Sequence, residues 1–153
     1  KLIQKRFNKK TINLSSYYPS SFEVNVIKLF ELNFKNKINF FLPVITGSNS
    51  MEFYQWNNKE ILKINRYGML EPFLQFNQII PDIMLVPLLA YDNKKNRLGY
   101  GKGFYDQYLK KYLKRYKNIL TIGIAFSFQK YHKLPVFNND MKLNFILTEK
   151  GIF

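Results

Sequence analysis

The residues best equipped for chemistry lie between Asn96 and Asp106, in the string NRLGYGKGFYD. Three glycines, Gly99, Gly101 and Gly103, fall at alternate positions, flanked by the cations Arg97 and Lys102 and closed by the carboxylate of Asp106. Inside a helix or strand each glycine would cost roughly 0.5–1 kcal/mol relative to alanine, so the trio specifies a loop that bends sharply or lets a ligand approach the backbone. An apolar run, Ile83 to Ala90, precedes the loop and an amphipathic stretch follows it. The loop therefore leads from a strand into a helix N-terminus, where free N–H groups and the helix dipole attract anions. There Lys102 would serve as a point charge on phosphoryl oxygens, Arg97 as a bidentate fork and Asp106 as a metal ligand. The spacing is GxGxG, so it is neither the Walker loop, which continues GKS or GKT, nor the GxGxxG of dinucleotide folds. On the residues alone, a tight strand-to-helix turn without a ligand stays open beside the phosphate reading.

The full string is more specific. VPLLAYD, an insert, then RLGYGKGFYDQYL resembles the signature of the 5-formyltetrahydrofolate cyclo-ligase family, also called methenyltetrahydrofolate synthetases. The resemblance implies that Arg97, Leu98, Gly99, Tyr100, Gly101, Lys102, Gly103, Phe104 and Tyr105 contact ATP, the co-substrate. It implies that Tyr100, Gly101, Lys102, Gly103 and Phe104 also reach the folate, that Lys102 and Arg97 are catalytic, and that Asp106 binds Mg2+.

The resemblance continues elsewhere. YYPSSFEVN is similar to the family's strand-to-helix segment, whose glutamate binds the pterin of the folate; the matching residue is Glu23, with Tyr18 lining the same pocket. A carboxylate suits a pterin, which presents an exocyclic amino group and a ring N–H side by side as donors. Ser20-Ser21-Phe22-Glu23 also has the form of a capping box, so Glu23 reaching back to the Ser20 amide stays open. Met51 and Trp56 are implied as pocket walls, with plain core packing as the alternative. Arg66 to Pro72, RYGMLEP, matches a segment before the signature strand, where Glu71 is either structural or near the site. Asp140, in NNDM, stands at the family's second magnesium position, although alone it reads as an ordinary turn residue. Family members carry an N-terminal helix whose lysine and arginine help bind ATP phosphates. Nothing in Lys1 to Thr11 matches it, so Lys1, Lys5 and Arg6 are not given that role, and the chain reads as one cyclo-ligase domain, residues 1–153, lacking that helix.

Several elements must position these groups. Leu14 to Tyr18 is a short strand before Pro19, and a helix is expected from Ser20 or Ser21 with Val24, Ile27, Phe30 and Phe34 inward. Ile38–Val44, Met51–Trp56, Pro81–Asp92, Thr121–Phe126 and Leu143–Thr148 read as further strands. From Phe104 onwards, Tyr108, Leu109, Tyr112, Leu113 and Tyr116 share one helix face, with Lys110, Lys111, Lys114, Arg115 and Lys117 opposite. This alternation gives an α/β fold: three layers, a mostly parallel sheet with helices on both faces, Rossmann-like, with ligands at the carboxyl ends of the strands.

Composition sets the outer bounds. The 153 residues suit one domain. The 24 Lys and Arg against 10 Asp and Glu give a net charge of +14, the footprint of a nucleic-acid binder. Lysine is nevertheless scattered along the whole chain, and the surplus of Asn, Ile, Phe and Tyr fits a drift in base composition, which argues against a nucleic-acid partner. The cationic surface still favours ATP and a polyglutamyl folate. With no cysteine there is no disulfide framework or thiolate metal site, which suits the cytoplasm. No apolar run approaches the ~20 residues of a membrane span. His132, the only histidine, is not assigned a role. The chain is expected to act as a monomer. Two rival functions stand beside the ligase: a non-enzymatic folate-binding relative that has lost ATP chemistry, and a basic nucleic-acid-binding protein.

Overall fold

The computed structural model describes residues 11–20, 22–32, 37–74, 78–114 and 118–153. In chain order the strands are β1 (Thr11–Ser15), β2 (Lys37–Ile45), β3 (Met51–Gln55), β4 (Leu62–Ile64), β5 (Leu70–Pro72), β6 (Gln78–Ile79), β7 (Ile83–Pro87), β8 (Ala90–Tyr91) and β9 (Arg97–Leu98). Helix α1 (Phe104–Leu113) follows, then β10 (Leu120–Ile124), β11 (Phe145–Thr148) and β12 (Gly151–Ile152). Eight strands form the main sheet in the order β12-β11-β10-β7-β1-β2-β3-β6, while β4-β5 and β8-β9 are separate hairpins. The inner strands β11, β10, β7, β1 and β2 run parallel. Outside them, β12, β3 and β6 each pair antiparallel, β3 being turned back on β2 through Gly47, Ser48 and Asn49.

The buried strands β7 and β10 are apolar on both faces, as a covered parallel sheet requires. Alternation separates two cores. Phe41, Phe53, Met84, Val86 and Ile146 face α1 through Phe104, Tyr108 and Leu109. Ile12, Leu14, Ile83, Leu85, Leu120 and Ile122 face the other way, towards Tyr17, Val26 and Leu29. Gly123 packs closely under the first core: a Cβ there would lie 2.7 Å from Leu143 Cδ1 and 2.8 Å from Ile146 Cδ1 and Leu88 Cδ2, so those side chains would have to shift.

The expected helix after Ser20 is replaced by a turn and a short 3-10 segment, Ile27–Glu31. Its backbone is diverted by Asn25, whose Oδ1 accepts the Ile27 N–H at 3.0 Å and so offers a local alternative to the helical ladder. Ser21, Phe34, Arg115, Tyr116 and Lys117 lie outside the described residues, as do Lys1, Lys5 and Arg6. Among the described residues α1 is the one α-helix, and the fold is α/β with a large mixed sheet.

The topology opens a crevice. After β1 the chain crosses to β2 on one side; after β7 it crosses to β10 on the other. The connections part between neighbours β1 and β7, so the carboxyl ends of those strands are where an α/β sheet accepts ligands.

Candidate active site

The base of the glycine loop is rigid. Ala90 pairs with Leu98 and Tyr91 with Arg97, and the turn between them is built on the buried carboxylate of Asp92. Asp92 Oδ1 accepts the N–H of Lys94 at 2.9 Å and of Asn96 at 3.0 Å, while Oδ2 accepts Asn96 Nδ2 at 2.8 Å. Burial alone would raise the Asp92 pKa, but the hydrogen bonds from Asn96, Leu134 and Lys94 outweigh it and hold the carboxyl below its ordinary value. Gln129 Nε2 donates to the carbonyls of Leu88 at 3.1 Å and Leu89 at 3.0 Å, tying the loop to the turn after β10.

Above this base the loop is open. Gly101 and Gly103 have left-handed backbones, with φ of 84° and 68°. Gly103 caps α1 without a side chain, so the first amides of the helix are left for a ligand or water. Gly99 is informative in another way. Its φ is ordinary and a Cβ there would meet nothing within 4 Å, so the chain's own packing gives no reason for a glycine. Lys102 Nζ lies 5.5 Å from the centre of the Tyr67 ring, and that ring stands edge-on to Phe104 at 5.7 Å.

The two ends of the loop are joined by charge. Arg97 Nη2 is 2.8 Å from Asp106 Oδ1, and Arg97 Nη1 donates to the Met141 carbonyl at 2.7 Å. The Met141 N–H closes the ring on Asp106 Oδ1 at 2.9 Å. This places Asp140 beside Asp106 through one peptide; Asp140 Oδ2 accepts the Phe137 N–H at 2.8 Å.

Across the crevice, the turn after β1 closes on itself: Ser20 N–H donates to Glu23 Oε2 at 2.7 Å and Glu23 N–H to the Ser20 carbonyl at 3.1 Å. Three tyrosines gather on the Glu23 charge. Tyr100, from the glycine loop, is raised above its ordinary pKa by burial first and then by Glu23, with hydrogen bonding to Ser20 pulling the other way. Tyr17 is pushed well up by burial, then Glu23, then Tyr100, and its hydroxyl donates to the Val24 carbonyl at 2.9 Å. Tyr105 is pushed up by burial, Glu23 and Tyr17 against the opposing charge of Arg97. The hydroxyls of Tyr105 and Ser16 are buried without a hydrogen-bond partner among the described residues. Such groups are costly unless something pairs with them.

A model of the 5-formyltetrahydrofolate cyclo-ligase family matches residues 1–149. The chain belongs to that family. A relative from Schizosaccharomyces pombe named probable 5-formyltetrahydrofolate cyclo-ligase is 33% identical over 144 residues, covering 85% of this chain and 71% of its own length. The Haemophilus influenzae 5-formyltetrahydrofolate cyclo-ligase is 31% identical, over 89% of this chain and 75% of its own. Among solved structures, the Aquifex aeolicus 5,10-methenyltetrahydrofolate synthetase superposes with a TM-score of 0.73 at 30% identity, over 94% of this chain and 71% of that one. A 5,10-methenyltetrahydrofolate synthetase from Mycoplasma pneumoniae gives a TM-score of 0.65 at 27% identity, over 95% and 78%.

Seen as a cyclo-ligase site, the chain brings the loop from Arg97 to Asp106 and the Glu23 turn together at one crevice. Met51 and Trp56 are placed apart. Met51 is buried in the core facing α1, whereas Trp56 packs on Phe30 at 5.1 Å and Tyr18 at 6.2 Å, with its indole N–H donated to the Glu60 carbonyl at 3.1 Å. Glu71 is structural: Oε2 accepts the Ile45 N–H and Asn65 Nδ2, both at 3.0 Å. Two residues escape the sequence reading. Tyr17 lies close enough to Glu23 for that charge to add to burial in raising its pKa, and Tyr67 lies under Lys102. A doubled tyrosine at a strand exit signals that one of the pair faces the crevice; nothing local signals Tyr67. Among the described residues no helix is long and apolar enough to cross a membrane.

Proposed function

We propose that this cyclo-ligase converts 5-formyltetrahydrofolate to 5,10-methenyltetrahydrofolate at the expense of ATP, releasing ADP and phosphate. The observation that carries the reading is the open glycine loop itself, with Arg97 paired to Asp106 at its ends, Gly103 starting α1 without a side-chain cap, and Tyr100 near enough to Glu23 for that charge to add to burial in raising its pKa. A phosphate held by the loop and a pterin held by Glu23 are then neighbours.

The formyl amide oxygen is a poor leaving group. Transfer of the γ-phosphoryl group to that oxygen activates it; N10 then attacks the formyl carbon, a C–N bond forms, the C–O bond breaks and phosphate leaves. The protein's share is positioning and charge. Residues 97–105 take ATP, with Lys102 and the amides of Gly99, Gly101 and Gly103 facing the charge that grows in the transition state. Gly99, unexplained by packing, leaves the close approach that this role needs. Arg97 acts with Lys102 on phosphoryl oxygens and, through its pair with Asp106, fixes that carboxylate. Glu23 accepts the pterin donors, with Tyr17 and Tyr100 beside it. Tyr18 and Trp56 back the pocket, Met51 supports it from the core, and the Tyr105 hydroxyl, without a partner among the described residues, offers a donor.

Mg2+ fits the donors present. Among the described residues no group of three or more acidic, His or Cys side chains gathers, and Asp106 and Asp140 each keep one carboxylate oxygen without a protein partner. A cation that prefers to keep waters and take one or two carboxylates alongside phosphates suits such a pair. When bound it would neutralise phosphate charge. The same reading takes the enzyme as a cytoplasmic monomer with a three-layer, Rossmann-like fold.

The test is turnover of this chain with 5-formyltetrahydrofolate and magnesium ATP, following the 5,10-methenyl chromophore and ADP together. Equal amounts of both are expected. Folate binding without ADP release would overturn the reading in favour of a binding protein, and steeply salt-dependent nucleic-acid binding with no folate response would overturn it altogether.

A further inference from the structure

Helix α1 has to present its first turn at one rotation about its axis, because that turn carries Asp106 and the amides that follow Gly103. Phe104, Tyr108 and Leu109 hold the helix to the sheet, but apolar burial is non-directional and leaves a short helix free to roll. Polar contacts fix the roll. Lys110 Nζ donates to Asn139 Oδ1 at 2.7 Å and the Met141 N–H to Asp106 Oδ1 at 2.9 Å, so the turn that carries Asp140 is tied to α1 on both sides of that aspartate. Lys111 points elsewhere, being about 100° further round the helix. Its Nζ donates to Glu52 Oε1 at 2.7 Å, and the Tyr112 hydroxyl is shared between the same carboxylate's oxygens at 2.8 and 3.0 Å. Glu52 belongs to β3, which lies beyond β1 and β2 from β7.

Stability is a poor reason for a carboxylate at that place. The Glu52 side chain is 10% exposed and that of Lys111 61%, so the acid gives up its hydration for a partner that stays in water. A buried charge so paired gains little over an apolar residue of the same size. What it supplies is direction. The bond to Glu52 holds Lys111 above its ordinary pKa, and the Tyr112 ring lies 4.4 Å from that of Tyr108, which stands edge-on to Phe53 at 4.9 Å. The hold on the Tyr112 hydroxyl is thereby passed one helical turn nearer to Asp106. Groups that act on a bound phosphate need to be held within about 0.5 Å and 10–20° of the working geometry, which a rolling helix would exceed.

We infer that Glu52 is a positioning residue for the reaction: through Lys111 and Tyr112 it sets the roll of α1, and with it the places of Asp106, of the Asp140 turn and of the first helical amides. The inference rests on the ligase reading above. Glu52 acts on the magnesium ATP side of the crevice, while the Glu23 turn comes from the chain after β1 and does not depend on α1 for its closure.

Glu52→Leu, Glu52→Gln and Tyr112→Phe in the intact chain decide it, each measured well below its melting temperature so that only folded protein is read. Amide exchange at Gln107, whose N–H donates to the Gly103 carbonyl at 3.0 Å, reports the first turn of α1 without any ligand. In Glu52→Leu that amide should exchange about tenfold faster and magnesium ATP should bind about tenfold more weakly, while 5-formyltetrahydrofolate binds as it does to the native chain. Glu52→Gln keeps an acceptor for Tyr112 and should recover part of both losses. Tyr112→Phe removes one arm without touching the acid, so it should show the same pattern more weakly even if Glu52→Leu does not fold. Native magnesium ATP affinity in Glu52→Leu, or in Tyr112→Phe where the first does not fold, overturns the role whether or not the melting temperature falls. So does an equal loss of folate and magnesium ATP affinity, which a general loosening would give. A native chain that binds no magnesium ATP would refute the ligase reading instead, and Gln107 exchange would still show whether Glu52 sets the helix: unchanged exchange in every variant overturns it.

Discussion

Arg97 Nη2 stands 2.8 Å from Asp106 Oδ1, so an ion pair ties the start of the glycine loop to the first turn of α1. The Arg97 side chain is 5% exposed and that of Asp106 22%, and both bond to the peptide of Met141, which follows Asp140. The pair is the fastener that holds both proposed magnesium ligands at the loop.

Removing one partner of so sheltered a pair costs about 3 kcal/mol, because the other is left without compensation. Arg97→Ala is therefore expected to lower the melting temperature and turnover together, and Arg97→Lys to recover part of the stability without the two-armed geometry. Asp106→Asn keeps an acceptor oxygen but leaves Arg97 without its counter-charge, so it should melt below the native chain though above Arg97→Ala, while its magnesium requirement rises about tenfold. Thermal melting of the three variants and magnesium titration of Asp106→Asn check this. An Arg97→Ala protein that melts like the native one would show that the pair stabilises nothing.

Lys102 touches only the Tyr67 ring among the contacts described, so its loss has little structural cost. Lys102→Ala should fold normally and lose about 3–4 kcal/mol of transition-state stabilisation, read in kcat. Ordinary kcat would remove Lys102 from the chemistry.

The glycines divide into two kinds. Alanine at Gly101 or Gly103 must adopt a left-handed backbone, at about 1–2 kcal/mol each, so both variants should melt lower. Gly99 has neither that φ nor a neighbour, so Gly99→Ala should melt normally and still lose turnover, because the added methyl occupies the space of the ligand. Stability and activity both unchanged in Gly99→Ala would mean that nothing approaches the loop there.

How far the sequence carries can be judged from these same residues. The runs Ile38–Val44 and Ile83–Ala90 place β2 and β7 because a strand covered on both faces is apolar throughout, and the loop between β7 and α1 follows from its glycines. The helix expected after Ser20 fails because apolar spacing at Val24, Ile27 and Phe30 fits a turn and 3-10 segment equally well, and Asn25 tips the backbone locally. Strand direction is invisible in composition, so the antiparallel return of β3 could not be read from MEFYQW. Tyr67 and Arg66 reach the loop through tertiary packing of the β4-β5 hairpin, and no local pattern reports a contact so distant in the chain.

Asp92 supplies a pH dependence whose sign follows from its surroundings. Its folded-state pKa lies below the ordinary 3.8, so as pH falls the unfolded chain takes up the proton first. Its contribution to stability is complete above that ordinary value and is lost as pH falls through the lower folded value. Asp92→Asn removes an acceptor oxygen facing Asn96 Nδ2, and should cost about 1–3 kcal/mol at neutral pH. The difference between native and variant melting temperatures should then narrow in acid. A difference that stays constant from neutral pH to below the ordinary carboxyl range would mean that Asp92 does not titrate as its hydrogen bonds require.

Glu23 separates structure from function most sharply. Its Oε2 accepts the Ser20 N–H at 2.7 Å, which is the capping contact, yet no α-helix follows for it to cap, and the charge that Tyr17, Tyr100 and Tyr105 respond to is the same carboxylate. A glutamine keeps the Ser20 bond through its carbonyl oxygen, so if closing the turn is all that Glu23 does, Glu23→Gln should be silent in every assay. A pterin ligand behaves otherwise. The amide offers one acceptor and sets an NH2 against the pterin's own donors, leaving one of them buried and unpaired. The expected result is an unchanged melting temperature with folate affinity reduced about tenfold, ~1.4 kcal/mol, while ATP affinity stays the same. Folate and ATP titrations of the Glu23→Gln protein, with melting alongside, decide between the two roles: native folate affinity would return Glu23 to the turn, and a lower melting temperature with both affinities reduced would make the crevice itself depend on its charge.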